Sequence, residues 1–308
     1  MKAVQYSSFG GPEVLTWADV DRPVPGPGQV LVRVVATSFN PVDDHIRAGH
    51  LARVIPTALP HVPGLDVAGV IDEVDAGVTG WEVGDRVLAM LPLDVAGGAA
   101  EHVAVDAEVL VAAPRTTALV DAATLPLVGL AARQAVVELA RVHAGQTVLV
   151  NGAGGAVGSI AVQLALIAGA HVTATTSERH ADRLRGYGVH RLVGRLDLTT
   201  DPVDVGGPFD VVLNHVRCSP QEATALAGFV VDGGVAVSSA GSVSRDRILS
   251  QDVWVRSDAA SLAELVDHVD AGRLRLHVAA RRPMAELAEV HVDARAGRLP
   301  GKTVLLAP

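Results

Sequence analysis

The sequence contains very little cysteine and few aromatic residues, and each shortage excludes a class of protein. Cys218 is the single cysteine in 308 residues. One thiol cannot form an internal disulfide, and it cannot supply a multi-cysteine metal site. Aromatic residues make up only 3% of the chain, which argues against a surface that stacks nucleic-acid bases. Valine, leucine and alanine must therefore build the core.

Charge and long apolar runs are also scarce. Charged residues make up 19% of the chain and hydrophobic residues 49%, a balance that excludes a disordered or coiled-coil protein. The net charge is −9 and no basic cluster interrupts it, so nucleic acid and anionic membranes are poor candidates for the main partner. The chain has neither a signal-like start nor a run approaching roughly 18 apolar residues. We therefore expect a soluble, cytoplasmic protein.

The length of the chain predicts two domains. Two kinds of sequence pattern, found in different parts of the chain, agree with this number. Segments 29–36, 67–74 and 86–89 are apolar, β-rich and entered from glycine or proline turns, which is typical of a β-barrel-like domain. From about residue 119, strands alternate with helices, which predicts a parallel sheet. The predicted strands of that sheet are 147–151, 171–175, 209–214 and 235–238.

The C-terminal tail departs from this alternation. An amphipathic pattern predicts a helix over 262–269, and the apolar alternation of 274–278 predicts a strand. A second helix is predicted over 284–297, and a terminal strand over 301–306. The tail is therefore a mixed segment of helices and strands.

A glycine-rich loop, AGGAVG at 153–158, lies between an apolar strand and an apolar helix. This is a variant of the dinucleotide-binding fingerprint, in which small residues let backbone amides approach a pyrophosphate and let the helix pack against the strand. The string alone is a weak signal, but its strand–loop–helix context favours nucleotide binding over an ordinary connection.

The end of the next strand determines which dinucleotide is preferred. An NAD site usually has an acid about 20 residues after the motif, whereas this chain has Thr175, Thr176 and Ser177. Arg179 can pair with a 2′-phosphate through its two-pronged guanidinium, so NADP(H) is favoured over NAD. As an alternative, Thr175 and Glu178 have the spacing of a helix capping box.

Short motifs recur along most of the chain in a recognisable order. They are NPVDDHIRAG (40–49), PGLDVAGV (63–70), GDRV (84–87), GAAE (98–101), ATLPL (123–127), the glycine loop, the 233–234 glycine pair and GKTV (301–304). In this order the chain resembles the medium-chain dehydrogenase/reductase superfamily, and within it the zinc-independent quinone oxidoreductase and enoyl reductase branch.

The resemblance implies an α/β fold with two domains. A GroES-like β-barrel domain, built from 1–118 and 262–308, would carry the substrate and catalytic groups. A Rossmann domain with a doubly wound parallel sheet, built from 119–261, would bind NADP(H), and the active site would lie in the cleft. A homodimer through the Rossmann sheet edge is also expected, with segments 229–231 and 252–255 as candidate edges.

The resemblance also bears on zinc. The zinc-dependent branch places a cysteine in the stretch that holds Asn40, and Gly-His-Glu where this chain has Gly64, Leu65 and Asp66. A leucine cannot ligate a metal, and the four-cysteine structural lobe is missing. We therefore expect no metal site and no Lewis-acid catalysis.

The implied reaction is hydride transfer from NADPH to a quinone or to the C=C bond of an α,β-unsaturated ketone. Related sequences often have a tyrosine where this chain has His45, which can donate a proton or hydrogen-bond an enolate oxygen. Asn40 can donate an amide N–H to the same oxygen, and Asp43 is a candidate for orienting His45. The alternatives are a structural turn at Asn40 and Pro41 and a solvated His45.

Two departures from the family's pattern leave a second function open. Ala131 stands where relatives commonly have threonine, and residues 214–218 are bulky where relatives carry an acid and glycines. The alternative is an NADPH-binding sensor or partner protein with little turnover. Another chemistry on the same scaffold is also open. The residues predicted to bind the cofactor are Ala153, Gly154, Gly155, Ala156, Val157, Gly158, Thr175, Thr176, Ser177, Arg179, Asn214, Ser239 and Ala240.

Overall fold

A computed structural model describes residues 1–198 and 205–308. The chain forms two compact units. The first comprises Met1–Leu127 and Arg256–Pro308, and the second comprises Val128–Val255. The sequence-based boundaries lie nine residues earlier at the first junction and six residues later at the second, because the helices Leu119–Ala122 and Ala259–Asp270 both pack against strands of the first unit.

The strands follow the β-rich and apolar segments of the sequence, since branched side chains pack well on a pleated surface. In chain order they are β1 (Lys2–Gln5), β2 (Thr16–Asp19), β3 (Gln29–Ser38), β4 (Asp66–Val74), β5 (Arg86–Met90), β6 (His102–Asp106), β7 (Val111–Ala112), β8 (Thr147–Asn151), β9 (His171–Thr175), β10 (Arg191–Val193), β11 (Phe209–Asn214), β12 (Val230–Ser238), β13 (Leu249–Asp252), β14 (Ala280–Pro283) and β15 (Thr303–Leu306).

The helices occupy the alanine- and leucine-rich segments between strands. In chain order they are α1 (Pro41–Arg47), α2 (Leu119–Ala122), α3 (Pro126–Arg133), α4 (Ala156–Ile167), α5 (Glu178–Tyr187), α6 (Pro220–Ala227), α7 (Ala259–Asp270) and α8 (Leu287–Arg295). None of the helices among the described residues is long and apolar enough to cross a membrane.

The first unit is built on a seven-stranded sheet. Its order is β14-β15-β3-β4-β5-β7, with β6 paired to β3, and all pairs are antiparallel except β14 with β15. The long strand β3 contributes Val30 and Val32, both fully buried, to a core that α8 closes with Val290. The C-terminal strand β15 pairs with β3, so the tail belongs to this unit.

The second unit is a six-stranded parallel sheet of order β10-β9-β8-β11-β12-β13. Its central strands are apolar, with Leu149 and Val212 fully buried, as a parallel sheet covered on both faces requires. The order reverses direction between β8 and β11, and this topological switch point is where such sheets bind ligands. The predicted fold class, a β-rich domain plus a Rossmann-type sheet, is confirmed.

The predicted strand at 274–278 is wrong. Leu274 is buried and its neighbours alternate in exposure, which explains the pattern, but the backbone there is irregular and the strand begins only at Ala280. The strand requires a hydrogen-bonding partner, and β15 supplies one only to 280–283.

Candidate functional site

The glycine loop between β8 and α4 has the close contacts that a dinucleotide fingerprint requires. A Cβ at Gly158 would lie 2.3 Å from the carbonyl oxygen of Gly152, so only glycine lets α4 approach the strand. Gly152 has φ +83°, in the left-handed region that favours glycine. Gly155 is exposed and is the N-cap of α4. The first-turn amides of this 12-residue helix therefore meet at a place that an anion can reach.

The other predicted loop residues have different environments. Ala153 is fully buried and its amide donates to the carbonyl of Thr175 over 3.0 Å. A Cβ at Gly154 would lie 2.6 Å from the His180 ring and 2.7 Å from the Thr176 hydroxyl. Ala156 and Val157 are half-buried in the first turn of α4. The loop thus lies close to the residues that follow β9, where the adenosine ribose is predicted to bind.

A ladder of polar side chains crosses the carboxyl ends of four parallel strands. Thr175 Oγ1 donates to Asn151 Oδ1 (2.7 Å), and Asn151 Nδ2 donates to Asn214 Oδ1 (2.9 Å). Asn214 Nδ2 then donates to Ser238 Oγ (3.1 Å). The ladder ties directly to the loop, because the amide of Gly152 donates to Thr175 Oγ1 over 3.0 Å. These four side chains, Thr175, Asn151, Asn214 and Ser238, are all buried.

The ladder changes the interpretation of two predicted cofactor residues. Thr175 and Asn214 place their polar atoms inside the protein, where they hold the loop. The capping box proposed as an alternative for Thr175 and Glu178 is not formed, since Ser177 is the N-cap of α5. Thr175 instead uses its hydroxyl on β8 and on Gly152.

The polar residues at the start of α5 face the same end of the loop. Thr176 is buried, Ser177 is half-buried and Arg179 is exposed. The Arg179 Nε donates to His180 Nε2 over 3.2 Å. Arg183, one turn further along the helix, donates from Nη2 to the carbonyl of Gly154 over 2.6 Å. The sequence analysis did not include Arg183, although its spacing of four from Arg179 puts both on one helix face.

Residues after β11 and β12 border the opposite side of the loop. His215 Nδ1 pairs with Ser239 Oγ at 2.8 Å, and burial lowers the pKa of His215 to about 4. The amide of Ser239 donates to the carbonyl of Asn214, and that of Ala240 to Ser238 Oγ. His215 is therefore neutral at physiological pH and acts as a hydrogen-bonding group rather than a charge.

In the first unit, Asn40 lies in a buried polar cluster. Its Nδ2 donates to Asp66 Oδ2 (2.8 Å) and to the carbonyl of Ser38 (3.3 Å), while its Oδ1 accepts from Lys302 Nζ (2.6 Å). Asp66 also accepts from the Ser38 hydroxyl, from the Leu127 amide (2.7 Å) and from Lys302 (3.2 Å). Both amide hydrogens of Asn40 are thus engaged within the protein, and this favours the structural interpretation of Asn40.

Asp43 and His45 lie on α1, which Asn40 caps and Pro41 begins. Asp43 is 5% exposed, and its Oδ2 accepts the backbone amide of Asn40 over 2.8 Å. Burial raises the pKa of Asp43 to about 7, and the nearby Asp66 charge contributes in the same direction. Residues two apart on a helix are about 200° apart around its axis. Asp43 therefore acts on the start of α1, and its predicted role of orienting His45 lacks support from this geometry.

His45 is half-buried and pairs with a second histidine. Its Nδ1 lies 3.3 Å from Nδ1 of His50, with the ring centroids 5.5 Å apart. Such a pair requires one ring to donate and the other to accept, so it can hold a shared proton. Sequence reasoning singled out His45 but missed His50, which follows α1 and meets His45 through the turn that ends the helix.

Comparisons with known proteins agree with this architecture. The alcohol dehydrogenase GroES-like domain family matches residues 26–115, and the zinc-binding dehydrogenase family matches residues 187–305. A quinone oxidoreductase of Lama guanicoe is 30% identical, over 99% of this chain and 97% of that protein. The chain belongs to the medium-chain dehydrogenase/reductase superfamily, among its quinone oxidoreductases.

Other relatives in this superfamily support the same placement. A chloroplast envelope quinone oxidoreductase homolog of Arabidopsis thaliana is 37% identical over 63% of this chain, and the match spans 60% of that relative's length. The quinone oxidoreductase of Coxiella burnetii has a TM-score of 0.88 at 26% identity, over 100% of this chain and 99% of that one. CurK enoyl reductase has a TM-score of 0.87 at 25% identity, over 100% and 99%. These matches place the chain in the same superfamily.

One matching family is described as zinc-binding, so the donors at the corresponding positions need examination. Zinc takes cysteine, histidine and carboxylate ligands. Here Leu65 offers no donor, and the carboxylate of Asp66 and the amide oxygen of Asn40 already bind the ammonium of Lys302. The side chains of Asp66 and Lys302 are 0% and 5% exposed. These residues do not fit zinc, because an internal cation neutralises the only carboxylate among them.

Proposed function

We propose that this protein is an NADPH-dependent oxidoreductase that reduces a quinone or the C=C bond of an α,β-unsaturated ketone without zinc. The observation that carries the proposal is the glycine loop. Its N-cap residue Gly155 is exposed, the Arg183 guanidinium contacts its Gly154 carbonyl, and the neighbouring strand β9 ends in Thr175 rather than in an acid. A structure of mycobacterial Rv1454c complexed with NADPH has a TM-score of 0.84 and 26% identity, over 99% of this chain and 100% of that one. The loop of this chain fits the same class of cofactor.

The second unit would be the NADP(H)-binding domain. The pyrophosphate would bind the amides of Ala156 and Val157 at the start of α4, while the Gly155 amide shapes the loop by donating to the Gly152 carbonyl over 3.0 Å. Thr176, Ser177 and Arg179 would bind the ribose and its 2′-phosphate. Thr175 and Asn214 would act through the ladder that fixes the loop. When bound, NADPH supplies the hydride.

The Ser239 hydroxyl and the backbone carbonyls that follow β12 suit an uncharged part of the cofactor, since the amides of Ser239 and Ala240 already donate within the protein. Ser239 and Ala240 follow the end of β12, and Ser239 is exposed. A carboxamide offers one acceptor and two donors, which backbone groups and a hydroxyl can satisfy. We propose that this segment orients the nicotinamide ring.

The first unit would carry the substrate and the proton donor. The imidazole pair of His45 and His50 would donate a proton to the enolate or quinol oxygen that hydride addition creates. Asn40 and Asp43 fix the start of α1 and thereby hold His45 in place. They are positioning residues in this proposal.

The test is a titration followed by a substrate panel. The protein is titrated with NADPH and with NADH, and a simple quinone and a small enone are then added while cofactor oxidation is followed. NADPH binding with oxidation in the presence of either substrate supports the proposal. NADPH binding without oxidation across the panel would instead support the sensor or partner function. Absence of nucleotide binding would refute both.

A homodimer is part of the proposal. Within the described residues, β13 pairs on one side only, with β12. Leu249 on that strand and Trp254 just after it are 52% and 70% exposed. An open strand edge flanked by exposed apolar side chains favours pairing with a second copy. Sedimentation velocity of the wild-type protein tests this directly.

A further inference from the structure

A second arginine beside the glycine loop has the contacts of an anion-binding group. Arg183 lies on α5, and its Nη2 donates to the carbonyl of Gly154 over 2.6 Å. This contact holds the guanidinium against the loop. Arg179 precedes it by four residues, so both side chains project from one face of α5.

The positive charge of Arg183 is not compensated by the protein. Its Nε is buried and has no hydrogen-bond partner among residues 1–198 and 205–308. Those residues also place no carboxylate within salt-bridge distance of it. Burial lowers the pKa of Arg183, and the like charge of Arg179 contributes in the same direction. A half-buried guanidinium with an unused donor is costly unless an anion binds there.

Two polar side chains between β9 and α5 complete the surroundings. The Thr176 hydroxyl and the His180 ring both lie against Gly154, at 2.7 and 2.6 Å from the position that a Cβ would occupy. Ser177 caps α5 without using its side chain in the cap. Of the two acids on α5, Glu178 is exposed at the first residue of the helix, and Asp182 is exposed and pairs with Arg185 over 2.6 Å. Neither acid therefore pairs with Arg183, whose guanidinium keeps an unused donor beside the loop.

We infer that Arg183 is the main specificity-determining residue for NADPH over NADH, through a forked contact from its guanidinium to the 2′-phosphate. The inference rests on the proposed function and adds to it a residue outside the expected ribose site. A phosphate monoester dianion matches the planar set of donors that arginine presents. Arg179, which is exposed and bonded to His180, contributes less because its charge is screened by solvent.

The experiment compares dissociation constants by calorimetry for NADPH, NADH and the fragment 2′,5′-ADP. In R183Q the constants for NADPH and 2′,5′-ADP rise by about tenfold to hundredfold, the usual effect of losing a charge-assisted hydrogen bond. The constant for NADH stays the same. R183K, which keeps the charge without the fork, gives an intermediate loss.

R185Q is the matched control on the same helix. The Arg185 side chain is 58% exposed and pairs with Asp182 over 2.6 Å, away from the loop. The same three ligands bind this variant as they bind the wild type. Thermal unfolding of each variant confirms that the folded state is retained.

Each other outcome overturns the inference in a recognisable way. Equal weakening of NADPH and NADH in R183Q would assign Arg183 to the loop or the pyrophosphate. Unchanged binding of all three ligands would leave the 2′-phosphate to Arg179. If the wild type bound neither dinucleotide, the proposed function would fail and the inference with it.

Discussion

Replacing Lys302 with methionine tests the internal cation that occupies the place of a metal. The ammonium donates to Asn40 Oδ1 (2.6 Å), Asp66 Oδ2 (3.2 Å) and the carbonyl of Phe39 (3.2 Å). Methionine keeps the apolar stem but leaves the carboxylate of Asp66, which is fully buried, without a counter-ion. Breaking such a pair costs about 3–5 kcal/mol. Asp66 retains three other donors, so we expect a loss of about 3 kcal/mol.

The loss is measurable by urea unfolding followed through tryptophan fluorescence. Trp17 and Trp81 pack against the core of the first unit, whereas Trp254 is 70% exposed. The fluorescence change therefore reports mainly the unit that contains Lys302. At a slope of about 1–3 kcal/mol per molar urea, the midpoint falls by about 1–3 M.

Lys2, the other lysine of the chain, is the matched control. It pairs with Asp19 over 2.8 Å, but the two side chains are 42% and 81% exposed. K2M should leave the midpoint almost unchanged, because solvent screens exposed pairs. In K302M/D66N, removal of the buried charge recovers part of the loss. A K302M midpoint equal to that of K2M would refute the reasoning.

Three further predictions address the loop and α1. The native pKa of Asp43 is raised from 3.8 to about 7, so the native wild type binds a proton more tightly than its unfolded chain and loses stability as the pH rises through this range. The free energy of unfolding of D43N should therefore exceed that of the wild type by an amount that grows from pH 4 to pH 7 toward about 4 kcal/mol. Equal pH profiles of the two proteins in urea unfolding would contradict this. H45F lowers turnover by about a hundredfold without changing the dissociation constant of NADPH, as loss of a general acid requires; unchanged turnover would remove His45 from the mechanism. G158A loses about 1–3 kcal/mol of stability and binds NADPH and NADH less tightly to the same degree, because its Cβ would lie 2.3 Å from the Gly152 carbonyl oxygen. The control is G186A on α5, where an added Cβ would have no atom within 4 Å.

The strands and helices are predictable from the sequence wherever the spacing of apolar residues distinguishes the two. β8, the glycine loop and α4 are predictable from apolar runs and small residues, and β9 and β11 coincide with their predicted ranges. The strand predicted at 274–278 was wrong, since alternation of burial does not reveal whether a pairing partner is present.

The candidate site was less predictable, because it depends on register across strands. Asn151 and Asn214 are 63 residues apart, and their hydrogen bond exists because β8 and β11 pair in a register that places the two residues side by side. Lys302 reaches Asn40 and Asp66 only through the pairing of β15 with β3. The spacing of four between Arg179 and Arg183 was the one local signal available for the missed arginine.

Deuteride transfer tests the central claim most directly. NADPH deuterated at the transferable position of the nicotinamide ring is mixed with the wild-type protein and a small enone, and the product is analysed by mass spectrometry and NMR. The account predicts one deuterium at the carbon β to the carbonyl, with NADH supplying it less efficiently at low cofactor concentration. NADPH that binds tightly but transfers no deuterium to an enone, and is not oxidised by a quinone, would contradict the account.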